Sequence, residues 1–383
     1  MSAYHKNALP PGYELAEYTI QSVLGHGGFG ITYLARDSSL NALVAIKEYL
    51  PHDLAARGGD MAIVPDLDSK GAVRDYHWGL KRFLKEARAL AQFKHPNIVR
   101  VLRFIEANET AYMVMEYEKG ESLGQFLRHN RNRLDEKELL RIFLPILNGL
   151  DAVHQAGLVH FDIKPDNIYI RSDGSPMLID FGSARQAMRG HGMAKRVVLT
   201  PGYAPIEQYP DKGQPGDWTD VYAIGASMYR CIGGKRPTES LERYQMILKY
   251  SADPLTPATK IGQGRYQPQL LECVDWALQP YPTDRPRSAR ELQDAMMGKT
   301  DLIKKPNLII KKRGMTGPMF SGGRRGFVGR ALKMLMVLLF FAATAAAGLY
   351  YFWPTVKKDW PELAHQAEQW IPKDLKLPEW IGK

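Results

Sequence analysis

The sequence predicts an α+β protein of two lobes, followed by one apolar helix. Strand signals crowd the stretch from Tyr18 to Tyr117, amphipathic helices dominate after Gly120, and the run MLMVLLFFAATAAAGLYYFW at 334–353 carries no charge. A β-rich part followed by an α-rich part is the order of an α+β fold, not of an alternating parallel sheet. The 45 % hydrophobic and 24 % charged content is that of an ordinary globular chain, and 383 residues allow one large or two medium domains with appendages.

Residues 1–17 read as a loose lead-in, marked by Pro10-Pro11-Gly12. YTIQSVLG and GITYLARD then flank a glycine cluster, and LVAIKEYL follows; all three are rich in strand-forming residues. A polar stretch with Gly and Asp covers 51–75. HWGLKRFLKEARALAQF repeats its apolar residues with a helical period at Leu80, Phe83, Leu84, Ala87 and Leu90. IVRVLRFIEA and AYMVMEY read as strands joined by NET, and KELLRIFLPILNGLDAVHQAG as a long helix ending at Gly157. Further helices are expected at 219–232, 241–250, 269–279 and 288–297. Cys231 and Cys273 lack CxxC spacing, so neither a disulfide framework nor a metal knuckle is implied.

The net charge of +10 is local. Nine basic and no acidic residues lie between Lys304 and Lys333, and the tail 354–383 is balanced, which leaves about one positive charge for residues 1–303. A basic linker without a basic domain face argues against nucleic acid as a partner. At 1.5 Å per residue the uncharged run spans roughly 30 Å, the thickness of a bilayer's hydrocarbon core. Tyr350, Tyr351 and Trp353 close it, as aromatic residues do at a headgroup boundary. The expected arrangement is a single-pass inner-membrane protein with residues 1–333 in the cytoplasm and 354–383 outside, and a linker that meets anionic lipids.

Four motifs carry chemistry. Gly25 to Gly30, GHGGFG, lies between strands, where glycines permit a tight turn and close approach to phosphate. A helix does not follow, so a hairpin over a nucleotide fits better than a dinucleotide fold. Lys47 ends VAIK on the next strand, with Glu86 on the following helix as its natural anion. In HFDIKPDN, Asp162 can accept a hydroxyl proton, Lys164 can neutralise charge and Asn167 can ligate a metal. Asp180 in LIDFG supplies a carboxylate suited to Mg2+.

Together these resemble the eukaryotic-type (Hanks-type) serine/threonine protein kinases, in particular the membrane-anchored bacterial ones. The resemblance covers 18–298, with an N-lobe at 18–117 and a C-lobe at 118–298; 299–333 is then a juxtamembrane linker, 334–353 a transmembrane helix and 354–383 a short outer tail. It implies the bilobal protein kinase fold, ATP and Mg2+ (with Mn2+ as a substitute), and a protein substrate with a Ser or Thr acceptor; it leaves dimerisation open. Residue by residue, it places Leu24, Gly25, Gly27, Gly28, Phe29, Gly30, Thr32, Ala45 and Lys47 around the nucleotide. Met115 falls at the gatekeeper position, with Glu116 and Tyr117 in the hinge. Asp162 is the catalytic base, Lys164 its lysine, Asn167 and Asp180 the metal ligands, and Glu86 the partner of Lys47. Thr200 contacts the catalytic loop, Glu207 pairs with Arg285, and Asp220 braces the loop. A pseudokinase scaffold at the membrane is the rival reading; it is disfavoured because Lys47, Asp162 and Asp180 are all present.

The sequence departs from that pattern in places. Thr32 stands where Val is usual, Ile206 where Pro is usual, and 51–75 holds an insertion before the helix of Glu86, read as a regulatory surface or a plain surface loop. Phe161 stands where an Arg usually pairs with a phosphate on the activation segment. Residues 184–199, ARQAMRGHGMAKRVVL, contain no Ser, Thr or Tyr. The two facts agree, and predict an activation segment that works without phosphate.

Overall fold

The computed structural model describes residues 6–69, 71–129, 133–181 and 199–300. A first lobe is built on an antiparallel sheet in the order β1-β2-β3-β4-β8-β7. Its strands are β1 (Glu14–Leu15), β2 (Tyr18–Gly27), β3 (Gly30–Asp37), β4 (Ala42–Tyr49), β7 (Val101–Ala107) and β8 (Thr110–Glu116). Alternation sets the faces: in β4, Val44, Ile46 and Glu48 are buried while Ala45 and Lys47 are only half-buried and turn to the other side. Between β7 and β8, Asn108 and Glu109 both take positive φ, 52° and 55°, the tight two-residue turn that matches sheet twist. The helix α1 (Ala72–Ala91) begins earlier than its apolar period suggested and packs against β7 and β8.

The described part of the lead-in, from residue 6, is packed, and the insertion has structure of its own. Ala8, Leu9 and Leu15 are buried, and β1 pairs with β2. The insertion forms a small hairpin, β5 (Ala55–Arg57) with β6 (Ile63–Pro65), which buries Leu54, Ala55 and Ile63. Both findings share one cause: apolar residues at isolated positions carry no period, so tertiary packing alone reveals them.

The second lobe is mostly helical. Its helices are α2 (Leu123–His129), α3 (Glu136–Gln155), α4 (Asp217–Gly233), α5 (Ser240–Tyr250), α6 (Ala258–Ile261), α7 (Pro268–Ala277) and α8 (Ala289–Met296). A capping box starts α3: Asp135 accepts from the Glu138 N–H at 2.8 Å and Glu138 from the Asp135 N–H at 3.0 Å. Gly234 ends α4 at φ 75°, a conformation that favours glycine. A three-stranded sheet, β11-β10-β9, sits at the lobe junction, with β9 (Gly120–Ser122), β10 (Ile168–Arg171) and β11 (Pro176–Leu178). Cys231 and Cys273 are free and buried, and burial pushes each thiol up to about 12. The bilobal α+β architecture matches the expectation. Among the described residues no helix is long and apolar enough to cross a membrane; the segment 334–353, its linker and its tail lie outside them, as does most of the activation segment.

Candidate active site

The site lies between the lobes. A cavity of about 370 Å³ is lined by Leu24, Gly25, Thr32, Ala45, Met115, Glu116 and Tyr117, all expected there from sequence. Strand pairing brings them together: Ala45 faces Met115, and Thr32 faces Lys47. Val99, Met177 and Ile179 complete the apolar lining from below. Sequence reasoning missed these three, because each sits in an ordinary core-like string and only folding turns it towards a cavity.

The glycines divide into two kinds. A Cβ on Gly30 would lie 2.0 Å from the Glu48 carbonyl oxygen, so strand packing demands glycine there. A Cβ on Gly25, Gly27 or Gly28 would meet nothing within 4 Å. Those three leave open space at the hairpin tip, where an extended phosphate chain can approach backbone N–H groups. The tip is held from behind: the Leu50 N–H donates to the Phe29 carbonyl at 3.0 Å and the His52 N–H to the Gly28 carbonyl at 3.1 Å. Gly27, Gly28, Phe29, Gly30 and Lys47 do not line the apolar cavity itself.

The Lys47 ammonium pairs with Asp180 at 3.1 Å, across the lobes. Glu86 is buried on α1. Asp180 takes a positive φ of 59°, and the next residue, Phe181, is buried against the His160 ring at 4.3 Å. That packing turns the Asp180 carboxylate, 38 % exposed, towards the cleft and Lys47.

Three side chains converge on Asp162. Lys164 Nζ donates to Oδ2 at 3.0 Å, Asn167 Nδ2 to the same oxygen at 2.9 Å, and Thr200 Oγ1 to Oδ1 at 2.9 Å. Asn167 Nδ2 also donates to the Asp162 carbonyl at 2.8 Å. Its amide nitrogen thus serves the loop and its carbonyl oxygen is the atom left to offer a cation. An amide oxygen and the Asp180 carboxylate are hard donors, the type that Mg2+ or Mn2+ prefers, so the residues fit the metal.

Asp220 braces the loop from beneath. Its Oδ2 accepts from the His160 N–H at 2.7 Å and from His154 Nε2 at 2.9 Å, and its Oδ1 from the Phe161 N–H at 2.8 Å. His160 is fully buried; burial lowers its pKa. It donates from Nε2 to the Ile179 carbonyl at 3.0 Å and accepts at Nδ1 from the Asp162 N–H at 3.3 Å, which the neutral Nε2–H tautomer satisfies. Glu207 and Arg285, both wholly buried, form a two-pronged pair at 2.7 and 3.2 Å. Arg285 also lies 4.7 Å from the centre of the Tyr222 ring.

The protein kinase domain family matches residues 18–297. The chain is a member of the protein kinase family. The kinase is 34 % identical over 283 residues to serine/threonine-protein kinase pkn2 of Myxococcus xanthus, covering 71 % of this chain and 31 % of that protein. It is 30 % identical over 294 residues to serine/threonine-protein kinase PknA of Nostoc sp., covering 73 % of this chain and 46 % of that protein. The kinase therefore spans less than half the length of either relative. Among solved structures it resembles one described as PpkA-294 apo form, at 39 % identity and a TM-score of 0.68, over 76 % of this chain and 99 % of that one.

Proposed function

We propose that the protein transfers the γ-phosphate of ATP to serine or threonine hydroxyls of protein substrates. The observation that carries this reading is the carboxylate of Asp162, held by Lys164, Asn167 and Thr200 beside a nucleotide-sized cavity. Adenine enters between Ala45, Met115 and Met177, against the hinge at Glu116 and Tyr117. Phosphates run under Gly25, Gly27 and Gly28 towards Lys47. A divalent ion held by Asn167 and Asp180 would neutralise charge on the phosphate oxygens. Asp162 orients the acceptor hydroxyl and takes its proton; Lys164 offsets charge on the moving phosphoryl group. Nothing in this set requires a phosphate on the activation segment.

The same reading extends beyond the catalytic domain. In it residues 334–353 form a transmembrane anchor, 304–333 a basic collar that attracts anionic lipids, and 354 onwards lies on the outer side.

Full-length protein in Mg2+ and labelled ATP, with a generic basic protein as acceptor, should yield phosphoserine or phosphothreonine. Asp162→Asn should reduce turnover by about 10²–10⁴-fold. Equal labelling by both proteins, or labelling only on tyrosine, would sink the assignment.

A further inference from the structure

Phe161 sits one residue before the catalytic carboxylate at φ 68°, in the left-handed region. A bulky side chain adopts that conformation only where its surroundings impose it. Two groups do so from opposite sides. Asp220 takes the Phe161 N–H at 2.8 Å, and Gln208 Nε2 donates to the Phe161 carbonyl at 2.9 Å. Because the acceptor is a carbonyl, the Gln208 amide has to present its NH2 there. That carbonyl belongs to the peptide group joining Phe161 to Asp162, whose N–H goes to His160 Nδ1 at 3.3 Å. The peptide plane is thus gripped at both ends, and its tilt sets where the Asp162 side chain points.

Gln208 is itself well placed to transmit position. It is 3 % exposed and closes the short 3-10 turn Ile206–Gln208. The residue before it, Glu207, is locked by Arg285 and also accepts from Thr219 Oγ1 at 3.2 Å. The amide therefore reaches the catalytic loop from a turn that is fixed to the helical lobe. An Arg at 161 could join the two segments through a phosphate; Phe161 cannot, and 184–199 offers no hydroxyl to carry one.

We propose that Gln208 is the positioning residue that ties the end of the activation segment to the catalytic loop, holding Asp162 through the Phe161 carbonyl in place of a phosphate link. The inference rests on the phosphotransferase reading above.

The test measures kcat and the KM for ATP on full-length wild type, Gln208→Met and Gln208→Glu. Met keeps the length and the apolar packing but has no donor; ionised Glu keeps the shape and sets an acceptor against an acceptor. The expected order of kcat is Gln, then Met, then Glu, with Met lower than wild type by about ten- to a hundredfold. The KM for ATP should stay within about twofold, since the adenine cavity and Lys47 are untouched. A packing role would leave Met near wild type. Wild-type kcat in Gln208→Met, or a loss shared equally between kcat and the affinity for ATP, overturns the inference alone. Absence of transfer by wild type overturns it together with the assignment of the reaction. Should Gln208→Glu fail to fold, the Met variant decides by itself.

Discussion

His154 and His160 lie six residues apart and share one carboxylate that favours the charged form of each, yet their pKa values shift in opposite directions. His160 is buried so fully that desolvation wins and lowers its pKa. For His154, burial alone would lower the value, but the hydrogen bond and charge of Asp220 outweigh it and raise it above 6.5. The folded state thus binds the His154 proton more tightly than the unfolded state does. That contribution to stability is fully present below about pH 6.5 and is lost as pH rises through the higher folded value. Urea midpoints of wild type and His154→Gln, compared from pH 5.5 to 8.5, should differ most at the acid end and converge with rising pH. A gap that widens with pH would reverse the assignment. Asp220→Asn should act more severely, because one amide oxygen cannot accept from His154, His160 and Phe161 together. A cost of about 3–5 kcal/mol is expected for breaking a buried charged cluster, read as a lowered urea midpoint. At this scale the sequence revealed most of the chemistry. The spacing of Asp162, Lys164 and Asn167 already placed three polar groups on one tight loop. That Asp180 lies within reach of Lys47 was not legible, since a sequence gives strand and loop but not the distance between their side chains. Gln208 was hidden for a similar reason; its only signal was the aromatic residue standing at 161.

The insertion before α1 shows why an element can be legible as an interruption yet opaque in role. Its Gly, Asp and Arg content reads as a solvated loop. In the fold, Arg57 reaches the wholly buried Glu48 with Nη2 at 2.5 and 2.6 Å, while its Nε donates to the Asn7 carbonyl and its Nη1 to the Met61 carbonyl. Tyr33 donates to Glu48 as well, at 2.7 Å. One arginine therefore joins the lead-in, the insertion and the strand that carries Lys47. Glu48 is the neighbour of Lys47 in β4, and just beyond it Leu50 holds the Phe29 carbonyl and His52, at the start of the insertion, the Gly28 carbonyl. Arg57→Met leaves a buried carboxylate without its counter-charge, and a loss of about 3–5 kcal/mol is expected. Because Leu50 and His52, which back the glycine hairpin, follow closely on Glu48, nucleotide affinity should fall too. Thermal melting with and without ATP would show both: a lower Tm, and a smaller rise on adding ATP than wild type gives. An unchanged Tm would mean the insertion is the plain surface loop its composition suggests.

At the scale of the whole chain, charge and hydrophobicity are sorted by segment. The catalytic body carries about one net positive charge, and the basic excess sits in the thirty residues ahead of the uncharged run. The lobes meet through the Lys47–Asp180 pair, which lies within the catalytic body. Anchoring is then a separate property, and the two should be separable by mutation. If 334–353 crosses a bilayer, the full-length protein will sediment with membranes and stay there in high salt and at alkaline pH, which strip proteins held by charge alone. Phe341→Arg with Ala345→Arg places two charges near the middle of the run, at about 2.5–3.5 kcal/mol each on insertion scales. The doubly substituted protein should leave the membrane fraction in high salt while keeping its kcat on a soluble acceptor. Replacing Arg324 and Arg325 by Gln should instead keep the protein membrane-bound and weaken only its preference for anionic vesicles, by about 1 kcal/mol per charge removed. Release of the unmodified chain by salt would assign the attachment to the basic linker and leave the apolar run without a spanning role.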